Sequence, residues 1–206
     1  LPTDYAVAFF QKALANFSRQ NPDVALSIHC ETSEKLLPMF ERDDLDIAIA
    51  MYDDRPAPGL IYTWVERPIW TVGSDSEIDK KSPVLLAAHP EGCHYRARMI
   101  RCLDQIGRPW RITYCSPGIS GLQQAVQSGF GITALTRRTL TRGMRVLTEK
   151  DGFPPLADIH VGLFFKNTGA STAALLLVNY VMQTLHDSGQ TDFVRLERLG
   201  STLAHV

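Results

Sequence analysis

Val84-Leu85-Leu86-Ala87-Ala88-His89-Pro90-Glu91-Gly92-Cys93-His94-Tyr95-Arg96 joins two periodicities at one turn. The apolar run 84–88, bounded by Pro83 and Pro90, predicts a short buried strand. After Gly92, Tyr95, Met99, Leu103 and Ile106 recur at steps of four, four and three, the stripe of a helix. The turn therefore lies at a strand's carboxyl end and a helix's amino end. In open α/β sheets ligands bind there, because the first helical N–H groups lack partners and the helix dipole is positive. An ordinary βα turn gives the same pattern, so other copies of the device carry the weight.

They are present. Residues 3–19 form an amphipathic helix that Thr3 or Asp4 can cap, with Ala6, Phe9, Phe10, Ala13, Leu14 and Phe17 on its apolar face. Asn21-Pro22 ends it. Val24, Leu26, Ile28 and Cys30 alternate as in a strand, Thr32-Ser33 opens a short helix carrying Leu36, Leu37 and Phe40, and residues 45–52 return as a strand. From residue 60 to 72 the chain is β-rich, and Pro68 predicts an edge strand or bulge. Beyond strand 84–88 the order is helix 93–106, strand 111–115, helix 119–128 and strand 130–135. Ser116-Pro117-Gly118 stands before the second helix, Gly129 is placed as a C′ glycine, and Gly131 lets the next strand start tightly. Strands at 144–147 and 159–165 follow, then a helix over 171–185 that is apolar nearly all round, and a polar tail over 189–206.

Composition narrows the function classes. The 206 residues are 45% hydrophobic and 21% charged, with a formal net charge of −1, so the chain is globular and carries no overall field for nucleic acid. The basic clusters 96–101 and 137–145 read as solvated faces. No run reaches the roughly 20 apolar residues of a membrane span. Residues 1–5 lack the pattern of a signal peptide and an initiator Met, which makes the chain a fragment or processed product. A helix at residue 3 followed by a strand also implies an earlier strand before Leu1. Cys30, Cys93, Cys102 and Cys115 lack C-x-x-C spacing, so no zinc or other metal and no cofactor is expected. Cys30 and Cys115 read as small buried hydrophobes in a reduced, cytoplasmic protein.

Several pieces resemble the effector-binding domain of LysR-type transcriptional regulators. They are Asn21-Pro22-Asp23-Val24, Glu31-Thr32-Ser33 with Leu36-Leu37, Asp44-Leu45-Asp46-Ile47-Ala48-Ile49, Gly92-Cys93-His94-Tyr95-Arg96, Ser120-Gly121-Leu122, Ala125-Val126-Gln127-Ser128-Gly129-Phe130-Gly131-Ile132 and Pro154-Pro155-Leu156. They run in family order through residue 188. The resemblance implies an α/β fold of two Rossmann-like subdomains joined by two crossover strands, like type II periplasmic binding proteins. Subdomain I is expected at 1–71 plus 143–188, subdomain II at 72–142 and a C-terminal tail at 189–206. The DNA-binding winged helix-turn-helix would precede Leu1, so DNA would be bound only through that missing part.

On this reading a small, anionic effector lies in the cleft between subdomains. Its expected contacts are Thr3, Asp4, Thr32, Ser33, Met51, Tyr52, Gly92, Cys93, His94, Ser116, Pro117 and Gly118. Helix dipoles and hydroxyls supply the anion capture, and Met51, Tyr52 and Trp70 offer apolar walls. The resemblance also implies a homodimer or tetramer, pairing helix 3–19 head to tail with helix 93–106 and covering outer residues such as Ala8 and Met99. A secreted solute-binding receptor of the same fold is the alternative outside transcription. No catalytic residue is expected. Cys93-His94 places a thiol beside a base, but helical neighbours point about 100° apart, and no H-E-x-x-H, G-x-S-x-G or P-loop pattern occurs. Cys93 and Cys102 share the spacing of a reactive pair in the family's peroxide sensors. A straight helix would hold those thiols about 13 Å apart along its axis, so a disulfide would require unwinding.

Overall fold

The computed structural model describes all residues except 53–57, 80–82, 167, 193–195 and 199–206, and leaves undescribed the side chains of Val7, Ala8, 188–192 and 196–198. The chain falls into two units, residues 1–66 with 159–206 and residues 67–158. The chain passes between them at 66/67 and 158/159, where the sequence reading placed the changes at 71/72 and 142/143.

The first unit is built on a sheet of β1 (Ile47–Tyr52), β2 (Leu60–Glu66), β8 (Ile159–Phe165) and β9 (Leu196–Arg198), in the order β1-β8-β2-β9. All its pairs are antiparallel, and β8 is flanked on both sides, so Ile159, Val161, Leu163, Phe164 and Phe165 are all buried. A central strand covered on both faces reads as a continuous apolar run rather than as alternation. Helix α1 covers residues 3–20 in three parts: α-helical Thr3–Tyr5, π-helical Ala6–Phe10 and α-helical Gln11–Gln20. The π segment inserts a step of five between buried Tyr5 and Phe10, after which Leu14 and Phe17 follow at four and three. Tyr5 therefore takes the inward position that the sequence reading gave to Ala6. The N-cap is Pro2 and carries no side-chain cap hydrogen bond, so the expected capping by Thr3 or Asp4 is replaced; Asp4 is buried in the first turn. Helix α2 (Ser33–Glu41) seats Leu36 and Phe40, and Phe40 joins Ala48, Ala50, Tyr52 and Phe164 in one core cluster.

Three expectations for this unit change. Residues 24–30 form no regular element and pair with no strand among the described residues, and Ile28 is 51% exposed. Alternation marks a strand only when a neighbour completes its ladder, and Cys30, on the same parity, is accordingly exposed rather than buried. The last helix, α5 (Thr172–Asp192), buries one stripe, Ala174, Val178, Val181 and Leu185, and leaves Leu176 47% exposed. The expected tail instead continues this helix to Asp192 and then adds β9 to β2; the rest of that tail lies outside the described residues.

The second unit begins at Arg67-Pro68. The expected bulge there is a junction between β2 and β3 (Ile69–Gly73), which belong to different sheets. β3 lies between β6 (Thr133–Leu135) and β7 (Met144–Val146), antiparallel to both. β4 (Val84–Ala88) and β5 (Trp110–Cys115) are parallel and linked by helix α3 (His94–Gln105), a right-sized βαβ connection. On α3, Tyr95, Met99 and Leu103 are buried as the stripe predicts, but Ile106 falls past the helix end and is 44% exposed. Met99 is 1% exposed within its own chain, so it is not an outer residue awaiting a partner, and the Ala8 side chain is outside the described residues. Along β5 the pattern is Trp110, Ile112 and Tyr114 half-buried, with Arg111, Thr113 and Cys115 exposed. Parity therefore turns Cys115 outward, against the buried position expected for it.

Helix α4 (Ile119–Gln127) buries Ile119, Leu122, Ala125 and Val126, and Leu122, Ala125 and Val126 cluster with Ala87. Gly129 ends it at φ 81°, and Phe130 N–H closes back onto Ala125 O at 2.9 Å. Gly131 is fixed by closeness: a Cβ there would stand 2.4 Å from Leu85 O, while Ile132 and β4 exchange hydrogen bonds at 2.8 and 2.9 Å.

Candidate functional site

In the first unit the starts of α1 and α2 lie together. The Leu1 backbone nitrogen donates to His29 O at 2.8 Å and Glu31 N–H donates to Leu1 O at 3.3 Å, which fixes Thr3 and Asp4 beside the turn that leads into Thr32. Thr32 is the N-cap of α2, and no side-chain cap hydrogen bond is formed there. Ser33 is buried, and its Oγ accepts from Met51 N–H at 2.8 Å, so this hydroxyl ties α2 to β1 as well as standing at the helix start. Met51 is buried behind it. Tyr52, one residue on, points to the opposite face, where it packs in the core and shares a 2.6 Å hydrogen bond with Thr63 Oγ1. It is a core residue in this unit.

Asp4 adds a buried carboxyl to the same region, and Tyr5 beside it organises a second one. Tyr5 Oη donates to Glu66 Oε1 at 2.7 Å and accepts from Trp64 Nε1 at 3.1 Å. Burial first, and then the charge of Glu66, push the Tyr5 phenol well above its ordinary 10.0, so it stays a donor. Asp4 is visible in the sequence as a helix-start residue, whereas the triad of Tyr5, Trp64 and Glu66 is not, because Tyr5 stands 59 and 61 positions from its partners.

In the second unit, β4 and β5 run parallel side by side, so their carboxyl ends and the turns after them are neighbours. Ser116 N–H donates to Ala88 O at 3.1 Å, and His89 Nδ1 donates to Ser116 O at 3.1 Å. These bonds bring Gly92, Cys93 and His94, at the start of α3, together with Ser116, Pro117 and Gly118, at the start of α4. Gly92 has φ 82°, which turns the chain sharply into Cys93, the N-cap of α3. Neither Cys93 nor Gly118, the N-cap of α4, makes a side-chain cap hydrogen bond. Ser116 Oγ accepts from Gly118 N–H at 3.3 Å and lies where a Cβ on Gly121 would come within 2.5 Å. A side chain at Gly121 would force the Ser116 hydroxyl to turn away from this position.

Two residues of this turn escaped selection. His89 is buried and spans the two strand ends; Arg96 donates to His89 O and Glu91 Oε1, each at 3.3 Å, and its side chain is 18% exposed. A cation in the first turn of a helix opposes the dipole, so it is placed there for contacts rather than for helix stability. Arg96 lies within the 84–96 stretch, but in the sequence its charge is indistinguishable from that of its basic neighbours Arg98 and Arg101. Trp70, offered as a cleft wall, is core: it is buried, donates to Pro154 O at 2.9 Å and packs on Phe153 at 5.2 Å between ring centroids.

Cys93 is the N-cap of α3, and Cys102 is buried on the same helix. Helix α3 is continuous between Cys93 and Cys102, and burial raises the Cys102 pKa above the ordinary thiol value, which disfavours the reactive thiolate. Among the described residues no cluster of three or more metal-ligating side chains occurs, and no helix is long and apolar enough to cross a membrane.

The family model for the LysR substrate binding domain matches residues 1–185. The chain belongs to this family. Its fold is periplasmic-binding-protein-like, as the sequence motifs imply. The LysR-type chain is 25% identical to the HTH-type transcriptional regulator DgdR of Burkholderia cepacia over 185 residues, 89% of this chain and 62% of DgdR. It is 25% identical to the HTH-type transcriptional regulator PecT of Dickeya dadantii (strain 3937) over 137 residues, 66% of this chain and 43% of PecT. It thus spans about half the length of these curated relatives. Among solved structures, the apo regulatory domain of HypT from Salmonella typhimurium aligns with a TM-score of 0.72 at 12% identity, covering 90% of this chain and 93% of that one. The CcmR regulatory domain of Synechocystis PCC6803 in complex with 2-PG aligns at 0.66 and 16%, covering 90% and 95%. The QuiR effector-binding domain in complex with shikimate aligns at 0.62 and 13%, covering 92% and 94%. These likenesses establish the shared LysR regulatory-domain fold.

Proposed function

We propose that this LysR-type domain senses a small anionic effector through the helix-start turns that each of its units carries. The observation that carries this reading is the repetition of one device: α2, α3 and α4 all begin without a side-chain cap hydrogen bond. Amide N–H groups and dipoles at such ends favour a carboxylate or phosphate. Arg96, only partly exposed and paired with exposed Glu91 at 3.3 Å, brings a guanidinium to the α3 turn. Structural neighbours solved with 2-PG and with shikimate support a small-molecule ligand. Thr3, Asp4, Thr32, Ser33, Met51, Gly92, Cys93, His94, Ser116, Pro117 and Gly118 form its surroundings, while Tyr52 supports them from the core. In the full-length protein, effector binding would bias a cytoplasmic homodimer or tetramer whose separate DNA-binding domains contact the operator, so this domain regulates transcription without catalysis.

The test uses Gly118. A Cβ at this N-cap meets no atom within 4 Å, so Gly118→Leu adds an apolar side chain to the turn without an internal clash. A panel of small organic acids that includes shikimate is screened by thermal shift, each acid against its neutral amide. The reading expects at least one acid to raise the melting temperature, its amide to fail, and Gly118→Leu to abolish the rise. An acid and amide that stabilise equally, or full stabilisation of Gly118→Leu, would sink it.

A further inference from the structure

The second unit contains a cavity of about 500 Å³ that none of the helix-start turns contributes to. We infer that this cavity is a separate binding site for a compact, planar apolar anion. Its floor consists of Pro68, Trp70, Leu147, Phe153 and Leu156, all buried. Its rim carries three cations, Arg67, Arg137 and Lys150, against one carboxylate, Glu149, and all four are exposed. An apolar floor under a net positive rim matches a ligand with a flat hydrocarbon body and one negative group. The volume suits a small organic molecule rather than a protein segment.

The walls are set before any ligand arrives. Trp70 Nε1 is anchored to Pro154 O at 2.9 Å, and Phe153 is held between the Trp70 ring and the Arg108 guanidinium, which lies 4.5 Å from the Phe153 centroid. The turn that bears Glu149 and Lys150 is fixed by a capping box between Thr148 and Asp151. On the rim, Arg67 reaches Asp158 at 3.4 Å, so part of its charge is already balanced, whereas Arg137 stands at the exposed start of the 3₁₀ turn Arg137–Thr139. Rigid walls reduce the ordering cost of binding, which is how a shallow apolar floor can hold a small ligand. This site is independent of the effector reading above, because no residue is shared with the turns that carry that reading.

The probe is 2-naphthoate, titrated into the ¹⁵N-labelled protein while the indole N–H signals of Trp64, Trp70 and Trp110 are followed. Arg137→Glu with Lys150→Glu reverses two rim charges at exposed positions, and 2-naphthamide is the neutral control. The expected result is a saturable shift confined to Trp70, with affinity about tenfold weaker for the amide and about tenfold weaker for the double variant, each equal to about 1.4 kcal/mol. The unliganded Trp70 signal of the double variant, unchanged from wild type, verifies its fold. Absence of a saturable Trp70 shift, equal affinity for acid and amide, or undiminished binding by the double variant would overturn the site. Loss of the helix-start site in Gly118→Leu should leave the Trp70 response intact.

Discussion

Tyr5→Phe isolates a polar contact that the fold of the first unit depends on. The Tyr5 ring is 4% exposed and meets Trp64 edge-on at 5.8 Å, and phenylalanine preserves that packing. What disappears is the hydroxyl: its donation to Glu66 Oε1 at 2.7 Å and its acceptance from Trp64 Nε1 at 3.1 Å. A hydrogen bond to a buried carboxylate contributes about 1.5–3 kcal/mol and a neutral one about 1, so the loss should be about 3 kcal/mol. In a unit of about a hundred residues that lowers the melting temperature by roughly 10 °C or more. The assay is urea unfolding from pH 8 to pH 11, compared between wild type and Tyr5→Phe. Folding raises the phenol's pKa, so its contribution is complete below the unfolded value of 10.0 and is lost as pH rises towards the folded one. The stability gap between the two proteins should therefore narrow above about pH 10. A gap below about 0.5 kcal/mol at pH 8, or one that stays constant to pH 11, would refute the reasoning.

Three further experiments probe the packing and the thiols. Gly131→Ala, at φ 153° with a Cβ 2.4 Å from Leu85 O, should cost at least about 2 kcal/mol of its stability by chemical denaturation. In native protein, a maleimide should label exposed Cys30 and Cys115 rapidly and buried Cys102 slowly, with Cys102 needing a higher pH because burial raises its thiol. Treatment with a slight excess of peroxide should leave Cys93 and Cys102 unbridged by peptide mass mapping, and a bridge formed within minutes would contradict the continuous α3.

Much of the fold was legible because local periodicity and tertiary burial agree. The run 84–88 and the stripe Tyr95, Met99 and Leu103 gave β4 and α3 nearly to the residue, and Gly129 and Gly131 announced the end of α4 and the close approach to β4. The failures occur where a neighbour distant in sequence decides. Residues 24–30 alternate like a strand but have no ladder partner among the described residues, and Cys115 has the outward parity of Arg111 and Thr113. Pro68 was visible as a break, yet only the pairing of β2 with β8 and of β3 with β6 and β7 reveals a change of unit. The site divides in the same way. Turns of Gly, Ser and Thr at helix starts are local signals, so the helix-start positions of Thr32, Ser33, Cys93 and Gly118 are legible in the sequence. His89 and Arg96 belong to the same turn through bonds to Ser116, Glu91 and the backbone, and Tyr5 reaches Glu66 across the unit. Such partners leave no spacing to read.

The central claim is that uncapped helix starts in both units hold an anion, and sulfate is the simplest probe of it. Backbone amide signals are followed by NMR during a sulfate titration of wild type and Gly118→Asp. Aspartate is a good N-cap and an anion at a positive helix end, so the variant should fold at least as stably as wild type while repelling sulfate from α4. The account predicts saturable shifts at Ser33 and Glu34, His94 and Tyr95, and Ile119 and Ser120 in wild type, with the last pair silenced in Gly118→Asp. Shifts scattered over exposed lysines and arginines, or an Ile119–Ser120 response unchanged by Gly118→Asp, would contradict it.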